Sequence, residues 1–292
     1  MMNFEEVYHD SMKASQGLIE DVRFSRSLNL EPIKISAFEI SEVLKSKINF
    51  FHLLNNIQDK YPYMYSHPVN VACISYIIGK WINLNSTDLY LLICTGLLHD
   101  IGKAKIKDSL LNKSTALTES EHEIMRSHPG LGYHLLEKYD NLEPAILDGV
   151  LSHHERHDGS GYPSALKGND ISLFGRIIAV ADIFDAMTAT KSYHAKASPF
   201  KAIEEIQNCG FGALDPYICQ AFMNNITNYY YGCFVRLNNE QIGKIVYINP
   251  EEKTKPLIRC NNEFHNMSIE RDLQIIEVVA DEDTGSLINK VY

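Results

Sequence analysis

Residue types that bind metal ions recur along this chain, each beside a segment with helical spacing. The longest run is His153–Pro163, which reads His-His-Glu-Arg-His-Asp-Gly-Ser-Gly-Tyr-Pro. The pair His99-Asp100 precedes it, and single candidates stand at His67, His128 and Asp182. Imidazole and carboxylate groups are common ligands of transition metals. The sequence therefore predicts a multi-metal hydrolase site at which these scattered side chains converge.

The composition is that of a soluble globular protein. The chain has 292 residues, of which 45 % are hydrophobic and 22 % are charged. This length is enough for a full core and a second small module. The formal net charge of −10 argues against a nucleic acid polymer as partner. A small anionic substrate can still bind where metal ions supply positive charge.

Cysteine usage and the N-terminus point to the cytoplasm. The six cysteines show no CxxC pairing and mostly lie in apolar stretches, as buried thiols of a reducing compartment do. The first residues show no signal peptide. The longest apolar runs, such as Leu89–Leu98, are too short to span a membrane. We expect a cytoplasmic protein without a membrane segment.

The hydrophobic pattern divides the chain into three parts. Residues 1–49 form a mixed leader that is predicted to end in a helix from Ser36 to Ile48. Residues 50–228 show helical spacing almost throughout. Residues 229–292 contain short β-rich runs at Cys233–Leu237, Ile242–Ile248, Pro256–Cys260 and Leu273–Val279. The predicted fold class is mainly α, a helical bundle with a small β-rich C-terminal module.

Residues 50–228 contain several sequence signals of helix starts. Thr118 with Glu121 forms a capping box, and Glu143-Pro144 places proline in a first helical turn. Ser198-Pro199 and Asp215-Pro216 are cap-plus-proline starts of the last two helices.

The His99-Asp100 pair ends the apolar helix Leu89–Leu98, just before Gly102, which can stop a helix. Neighbouring helical residues diverge by about 100°, so the two side chains cannot bind one ion in the same way. A carboxylate can bridge two cations while the imidazole beside it binds one. The pattern therefore favours a dinuclear centre over the alternative, a simple hydrogen bond at a helix end.

Two further segments support this interpretation. His153-His154 ends another helix, and the loop after it has two glycines and a proline, which indicates a shaped site wall. Asp182 lies within the apolar stretch Ile177–Met187, where an unpaired carboxylate would cost several kcal/mol. Asp185 stands one turn further on and is expected to orient a metal ligand.

Taken singly, His67 and His128 resemble ordinary histidines at helix starts. The remaining candidates are interpreted as polar or packing residues, namely His9, His52, His122, His134 and His265.

Together these motifs resemble the HD-GYP family, a branch of the HD metal-dependent phosphohydrolases that degrade cyclic di-GMP. The similarity covers about Tyr61 to Phe222. Its motifs are His67, His99-Asp100-Ile101-Gly102-Lys103, Leu117-Thr118 with Glu121, His128-Pro129, His153–Pro163, Leu166-Lys167-Gly168, Arg176-Ile177 through Asp182, Phe184-Asp185-Ala186-Met187-Thr188 and Asp215-Pro216.

The resemblance implies a helical HD-type core around a carboxylate-bridged metal pair, commonly iron and alternatively manganese. It implies that the first metal is held by His67, His99, Asp100 and Asp182. It implies that the second is held by Asp100, His128, His153 and His154. Some members bind a third metal through a glutamate at the position of Tyr63, so two metals are expected here.

The resemblance also assigns substrate contacts. Asp100 and Lys103 are the expected catalytic residues, with Lys103 at a phosphate or at the leaving oxygen. Gly161 and Tyr162 would shape the site wall and a partner surface. Where many members have Arg-Pro-Tyr-Arg, this chain has Lys191-Ser192-Tyr193-His194. Lys191 keeps a positive charge, but the bidentate guanidinium contact to phosphate is lost. Substrate affinity or preference is therefore expected to differ from that of the family.

The implied activity is hydrolysis of cyclic di-GMP to pGpG, with further cleavage to GMP left open, through a metal-bridging hydroxide. A diguanylate cyclase is a further partner that the Gly-Tyr-Pro loop suggests. Two alternatives stand beside this hypothesis: a receptor or docking module that binds cyclic di-GMP without cleaving it, and an HD phosphohydrolase for another cyclic dinucleotide. Metal identity, regulatory input and oligomeric state stay open.

Overall fold

Helices carry most of the chain up to Ile226. The structure, a computed structural model, describes residues 3–45, 50–57, 61–189, 197–210 and 212–279. The first helices are α1 (Phe4–Arg23), α2 (Glu31–Lys45), α3 (Phe50–Ile57), α4 (Tyr63–Trp81) and α5 (Ser86–Leu98). The later helices are α6 (Asp108–Leu111), α7 (Glu119–Arg126), α8 (His128–Leu136), α9 (Pro144–Ser152), α10 (Leu173–Thr188), α11 (Pro199–Cys209) and α12 (Pro216–Ile226).

The leader differs from the sequence prediction. The predicted helix Ser36–Ile48 is wrong in its bounds, because α2 begins at Glu31 and ends at Lys45, and residues 46–48 fall outside the described residues. Helix α1 was not predicted at all. Its buried face places Ser11 and Ser15 among apolar side chains, which interrupts the hydrophobic spacing that marks a helix.

The predicted helix starts are confirmed. Thr118 and Glu121 form both hydrogen bonds of a capping box at α7. Ser198 and Asp215 cap α11 and α12 by accepting backbone N–H groups, and Pro144 opens α9 at its first position. The capping side chains satisfy amide groups that a helix leaves without a partner in its first turn, and proline has no N–H that would need one.

Helices α4 and α10 form the centre of the bundle. Both are buried on nearly all sides, which is typical of helices surrounded by other elements. Polar residues on such helices need partners, and His67, Asn70 and Asp185 are buried there. This position places the candidate site residues of α4 and α10 deep in the protein.

The leader helices share the core of the bundle. Buried side chains of α1 and α2 belong to the same hydrophobic cluster as those of α4, α5 and α10. Phe4 packs edge-on against Phe50, with 5.6 Å between ring centroids. The domain boundary at residue 49 stays a prediction.

The C-terminal part is an antiparallel sheet. Its strands are β1 (Phe234–Leu237), β2 (Ile242–Tyr247), β3 (Leu257–Cys260), β4 (Glu263–Asn266) and β5 (Ile275–Val278), in the spatial order β4-β3-β2-β1-β5. The sequence did not predict β4, an edge strand whose Glu263 and Asn266 are unusual in strands. The fold class, mainly α with a small β-rich C-terminal appendage, is confirmed. Within the described residues, no helix has the length and apolar character to cross a membrane.

Candidate metal centre

Three of the predicted histidines are held at helix ends by the same kind of hydrogen bond to a backbone carbonyl. His99 and His153 directly follow α5 and α9, and His128 follows the last residues of α7. Each imidazole Nδ1 lies 2.7 Å from the carbonyl oxygen three residues earlier, which belongs to Gly96, Val150 and Met125 respectively. The last carbonyls of a helix lack helical partners, so an imidazole N–H can donate to them. This bond leaves a lone pair on each Nε2.

These Nε2 atoms point toward each other and toward Asp100. His128 Nε2 and His153 Nε2 are 3.2 Å apart, and they lie 3.2 Å and 3.7 Å from Asp100 Oδ1. His99 Nε2 is buried and has no hydrogen-bond partner among the described residues. Burial lowers the pKa of His99 to about 3 and also lowers that of His128. Neutral imidazoles with converging lone pairs fit a bound cation, which would satisfy them together.

Asp100 belongs to two groups of possible ligands. In the His67 group, the ligand atoms of His67, His99 and Asp100 lie within 4.8 Å of one another. In the His128 group, the same holds for Asp100, His128, His153 and His154. Asp100 Oδ2 is 3.4 Å from His67 Nε2 and 3.5 Å from His99 Nε2, while Oδ1 faces the His128 group. The two oxygens of one carboxylate thus face two separate groups of imidazoles.

Charge at Asp100 is strongly favoured by its surroundings. Burial disfavours the carboxylate, but Lys103 and the imidazoles around it outweigh burial and hold the pKa of Asp100 well below its usual value. Lys103 Nζ donates to Asp100 Oδ2 at 2.5 Å. Burial also disfavours the Lys103 ammonium, yet Asp100 and Asp182 raise its pKa. The pair is therefore ionised, and the Lys103 side chain remains 36 % exposed.

Asp182 and Asp185 both contact His67. Asp182 Oδ1 lies 3.2 Å from His67 Nε2, although Asp182 belongs to neither group of possible ligands. Asp185 is fully buried, and its Oδ2 is 2.6 Å from His67 Nδ1. Tyr63, at the position of the expected third-metal glutamate, places its hydroxyl 3.0 Å from the same Nδ1. Asp185 and Tyr63 thus lie where they can orient His67.

A hydrogen-bonded chain reaches this histidine from the leader. Asn70 Nδ2 donates to Asp185 Oδ1 at 2.7 Å, and Tyr8 of α1 donates to Asn70 Oδ1 at 2.6 Å. Neither Tyr8 nor Asn70 was singled out from the sequence. An asparagine within the apolar helix α4 was the available signal, because buried amides need partners.

Gly102 has a different role from the one predicted. Helix α5 does end before His99, but the chain continues as a 3₁₀ helix from Ile101 to Lys105. A Cβ at position 102 would lie 2.0 Å from the His128 carbonyl oxygen and 2.6 Å from the Gly132 nitrogen. Glycine is required because this 3₁₀ helix and α8 meet backbone to backbone, and that approach brings Asp100 to His128.

The predicted wall loop lies beside His154. The Tyr162 ring stacks on the His154 ring at 4.8 Å between centroids, with 25° between their planes. Burial holds the pKa of His154 well below its usual value. Gly161 permits the loop to fold back, since a Cβ there would lie 2.3 Å from the Arg156 nitrogen. Tyr162 thus covers one face of the site.

Glu155 organises this loop from inside, a role that the sequence reasoning missed. Its side chain accepts the backbone N–H groups of Ser164 at 2.7 Å and Leu166 at 3.0 Å. Glu155 is only 3 % exposed, so its carboxylate is largely shielded from water while the loop it holds lies at the surface. A glutamate directly after His153-His154 was the signal, because a buried carboxylate needs such donors.

A pocket opens from the centre toward the leader. Its volume is about 630 Å³, within the usual range for ligand sites. His67, Asp100 and Lys103 of the centre line it, and so do Ser15 and Arg23 of α1. The predicted phosphate contacts Lys191 and His194 lie outside the described residues. His134 and His265 pair with Glu137 and Glu270 instead of joining the centre.

The family is established by comparison with known proteins. The HD domain family model matches residues 52–218, which is more than half of the chain. The chain belongs to the HD domain family. The resemblance stated from the sequence is confirmed. The described residues contain a His/Asp cluster of the kind that can hold metal ions.

Several curated proteins are similar to this chain. A cyclic di-GMP phosphodiesterase of Pseudomonas aeruginosa (PA4108) is 29 % identical over 83 % of this chain and 60 % of its own length. The cyclic di-GMP phosphodiesterase response regulator RpfG of Xanthomonas campestris is 40 % identical over 41 % of this chain and 32 % of its own length. The 3'3'-cGAMP-specific phosphodiesterase 1 of Vibrio cholerae is 33 % identical over 71 % of this chain and 45 % of its own length. The chain thus spans less than two thirds of these relatives.

A solved structure shares the fold. Bd1817 of Bdellovibrio bacteriovorus, described as an HDG"Y"P protein, superposes with a TM-score of 0.62 at 17 % identity. The match covers 76 % of this chain and 70 % of that chain.

Proposed function

We propose that this protein is a metal-dependent phosphodiesterase that hydrolyses cyclic di-GMP, with pGpG or, after a second cleavage, GMP as the final product. The observation that carries the proposal is the position of Asp100 between two groups of imidazoles. Its Oδ2 faces His67 and His99, and its Oδ1 faces the His128 group. The similarity to curated cyclic di-GMP phosphodiesterases supports the choice of substrate.

The proposed ligands are the two groups, with Asp182 added to the His67 group because it lies 3.2 Å from His67 Nε2. One ion would be held by His67, His99, Asp100 and Asp182, and the other by Asp100, His128, His153 and His154. A bound pair of iron or manganese ions would activate water and neutralise phosphate charge. Imidazole and carboxylate donors suit both metals. Tyr63 favours two ions, because a neutral phenol replaces a third-site carboxylate.

The protein's own groups would position the substrate. Lys103 has three ammonium donors, of which Asp100 takes one, and the side chain lines the pocket. We assign it to a phosphate oxygen or to the departing 3′ oxygen. Tyr162 and Gly161 would form the wall over His154. Asp185 would hold His67 in place. Lys191 and His194 stay proposed as further phosphate contacts.

The test is metal analysis combined with product analysis. Protein purified without oxygen would be loaded with iron or manganese, and the metal content measured beside chromatographic detection of pGpG and GMP. Asp100→Ala should lose bound metal and abolish turnover, because both ions share this carboxylate. Asp148→Ala, on the exposed face of α9, is the matched control and should behave like the wild type. Metal-dependent hydrolysis that persists in Asp100→Ala would reject the bridging role.

A second candidate is a phosphodiesterase for a hybrid cyclic dinucleotide. The Vibrio relative, a 3'3'-cGAMP-specific enzyme by name, matches 71 % of this chain. Turnover of cyclic di-GMP, cyclic GMP-AMP and cyclic di-AMP by one metal-loaded preparation separates the two. Binding of cyclic di-GMP without cleavage would instead indicate a receptor.

The setting of this activity is also a proposal. We place the enzyme in the cytoplasm, as a leader (1–49), a catalytic domain (50–228) and a C-terminal module (229–292). A diguanylate cyclase docked on the Gly-Tyr-Pro loop is the proposed protein partner.

A further inference from the structure

Helix α1 forms one wall of the pocket that reaches the metal centre. Four of its residues line the pocket: Ser15, Leu18, Ile19 and Arg23. Their spacing places them on a single helix face, with a polar residue at each end and two apolar residues between. Such a face can contact the flat apolar surface of a nucleobase and its polar edge together.

Ser15 offers an unused polar group to this pocket. The residue is 2 % exposed, and its hydroxyl has no hydrogen-bond partner among the described residues. A buried hydroxyl without a partner costs about 1–3 kcal/mol. Serine in a helix often bonds to the carbonyl four residues earlier, but here no such bond forms. Ser15 lines the pocket, and a ligand group that reached this enclosed hydroxyl would supply the missing partner.

Arg23 and Asp108 form a pair at the pocket's other polar position. Arg23 Nη2 donates to Asp108 Oδ1 at 2.5 Å, and a second contact reaches Met64 Sδ at 3.6 Å. The guanidinium has five N–H donors, so donors remain for a ligand. Both residues line the pocket, and the Asp108 side chain is 62 % exposed. Among the described lining residues, Arg23 and Lys103 are the cationic ones.

The end of α1 is tied to the catalytic segment. Lys105 follows Lys103 by two residues in the same 3₁₀ helix, and its Nζ donates to the Val22 carbonyl at 3.3 Å. Arg23 is consequently held at a set position relative to Asp100. A cyclic dinucleotide with one phosphate at the metal centre must place its other nucleotide elsewhere in the pocket, and the pocket extends to α1.

We propose that α1 and Asp108 form a guanine-selective subsite for this second nucleotide. Arg23 would donate to guanine O6, and Asp108 would accept from N1–H and the N2 amino group. Ser15 would bond to the same nucleotide. Adenine presents a donor at N6 and a lone pair at N1, which opposes both groups. This inference rests on the proposed function and names a determinant of its base specificity.

The test compares guanine and adenine ligands. Binding of cyclic di-GMP and cyclic di-AMP would be measured by calorimetry on the metal-loaded protein, together with KM and kcat. Arg23→Met should weaken cyclic di-GMP binding and raise its KM roughly tenfold or more, since a charge-assisted hydrogen bond is lost. Its kcat should stay within about twofold, because Arg23 contacts no reacting atom. Arg26→Met is the control, since Arg26 pairs with Asp21 and does not line the pocket.

Two further variants protect the test against misfolding. Asp108→Asn should reduce the preference for cyclic di-GMP over cyclic di-AMP without a change in melting temperature. Ser15→Ala should weaken cyclic di-GMP binding while leaving stability unchanged or higher. Ser11→Ala is its matched control, because this buried hydroxyl also lacks a partner among the described residues but lies outside the pocket lining.

The possible failures can be told apart. Guanine-selective binding that depends on Arg23, without any hydrolysis, would keep the subsite and reject the proposed activity. Hydrolysis by the wild type, with equal base preference in Arg23→Met and Arg26→Met, would overturn the subsite alone. Absence of any dinucleotide binding by the wild type would overturn both.

Discussion

Replacing Gly102 with alanine tests whether close backbone packing assembles the metal centre. The new Cβ would lie 2.0 Å from the His128 carbonyl oxygen and 2.6 Å from the Gly132 nitrogen, whereas ordinary contacts begin at 3.4 Å. Both atoms belong to the backbone, so no side-chain rotation relieves the overlap. The 3₁₀ helix Ile101–Lys105 and α8 must therefore separate by roughly 1 Å or more.

The magnitude follows from this separation. Overpacking costs about 1–3 kcal/mol, and a backbone clash belongs at the upper end, so the melting temperature should fall by roughly 6–12 °C. The movement also draws Asp100 away from His128, whose Nε2 now lies 3.2 Å from Asp100 Oδ1. Metal sites tolerate ligand displacements of only about 0.2 Å. Metal content should fall, and turnover should drop by about 100-fold.

The assay combines thermal unfolding, metal analysis and dinucleotide hydrolysis on three proteins. Gly130→Ala is the matched control, because Gly130 lies on the facing helix α8 and its Cβ would meet nothing within 4 Å. That variant should keep its metal and gain up to about 1 kcal/mol of helix stability. If Gly102→Ala melted within about 2 °C of Gly130→Ala and held equal metal, the packing argument would be wrong.

Three other substitutions probe separate parts of the site. Tyr8→Phe leaves the buried Asn70 carbonyl oxygen without its donor, so thermal unfolding should show a loss of about 1–3 kcal/mol, and release of metal to a chelator should quicken; unchanged release would uncouple α1 from the centre. Glu155→Gln leaves one of two loop N–H groups without its carboxylate acceptor, and limited proteolysis should detect faster cleavage of the Gly159–Pro163 loop. Lys103→Ala should retain the metal while kcat falls by about 100-fold, as expected for a lost phosphate donor; loss of metal would instead make Lys103 structural.

The sequence predicted best those features that are decided locally. The capping box of Thr118 and Glu121 needs only neighbouring residues, and the starts at Ser198 and Asp215 follow the same logic. The candidate ligands were also visible as residue types beside helices. Their individual roles as metal ligands stay predictions.

Features decided by tertiary contact were missed. The hydrogen bond from Tyr8 to Asn70 joins residues far apart in the sequence, so no local spacing of residues predicts it. Gly102 illustrates the same limit, since its local context suggested a helix stop while the structure requires glycine because α8 approaches it. In both cases the reason lies in a second element whose position the sequence pattern does not contain.

The leader cannot be treated as a separate appendage to the metal centre. Its helix α1 contacts the site at two distant points, through Tyr8 toward His67 and through the Val22 carbonyl toward the 3₁₀ helix that carries Lys103. Helical hydrogen bonding keeps these two points at a constant separation along α1. A displacement of α1 would therefore move both contacts together, and with them the α1 residues that line the pocket. We infer that the functional unit includes α1, which lies upstream of the region that the family model matches.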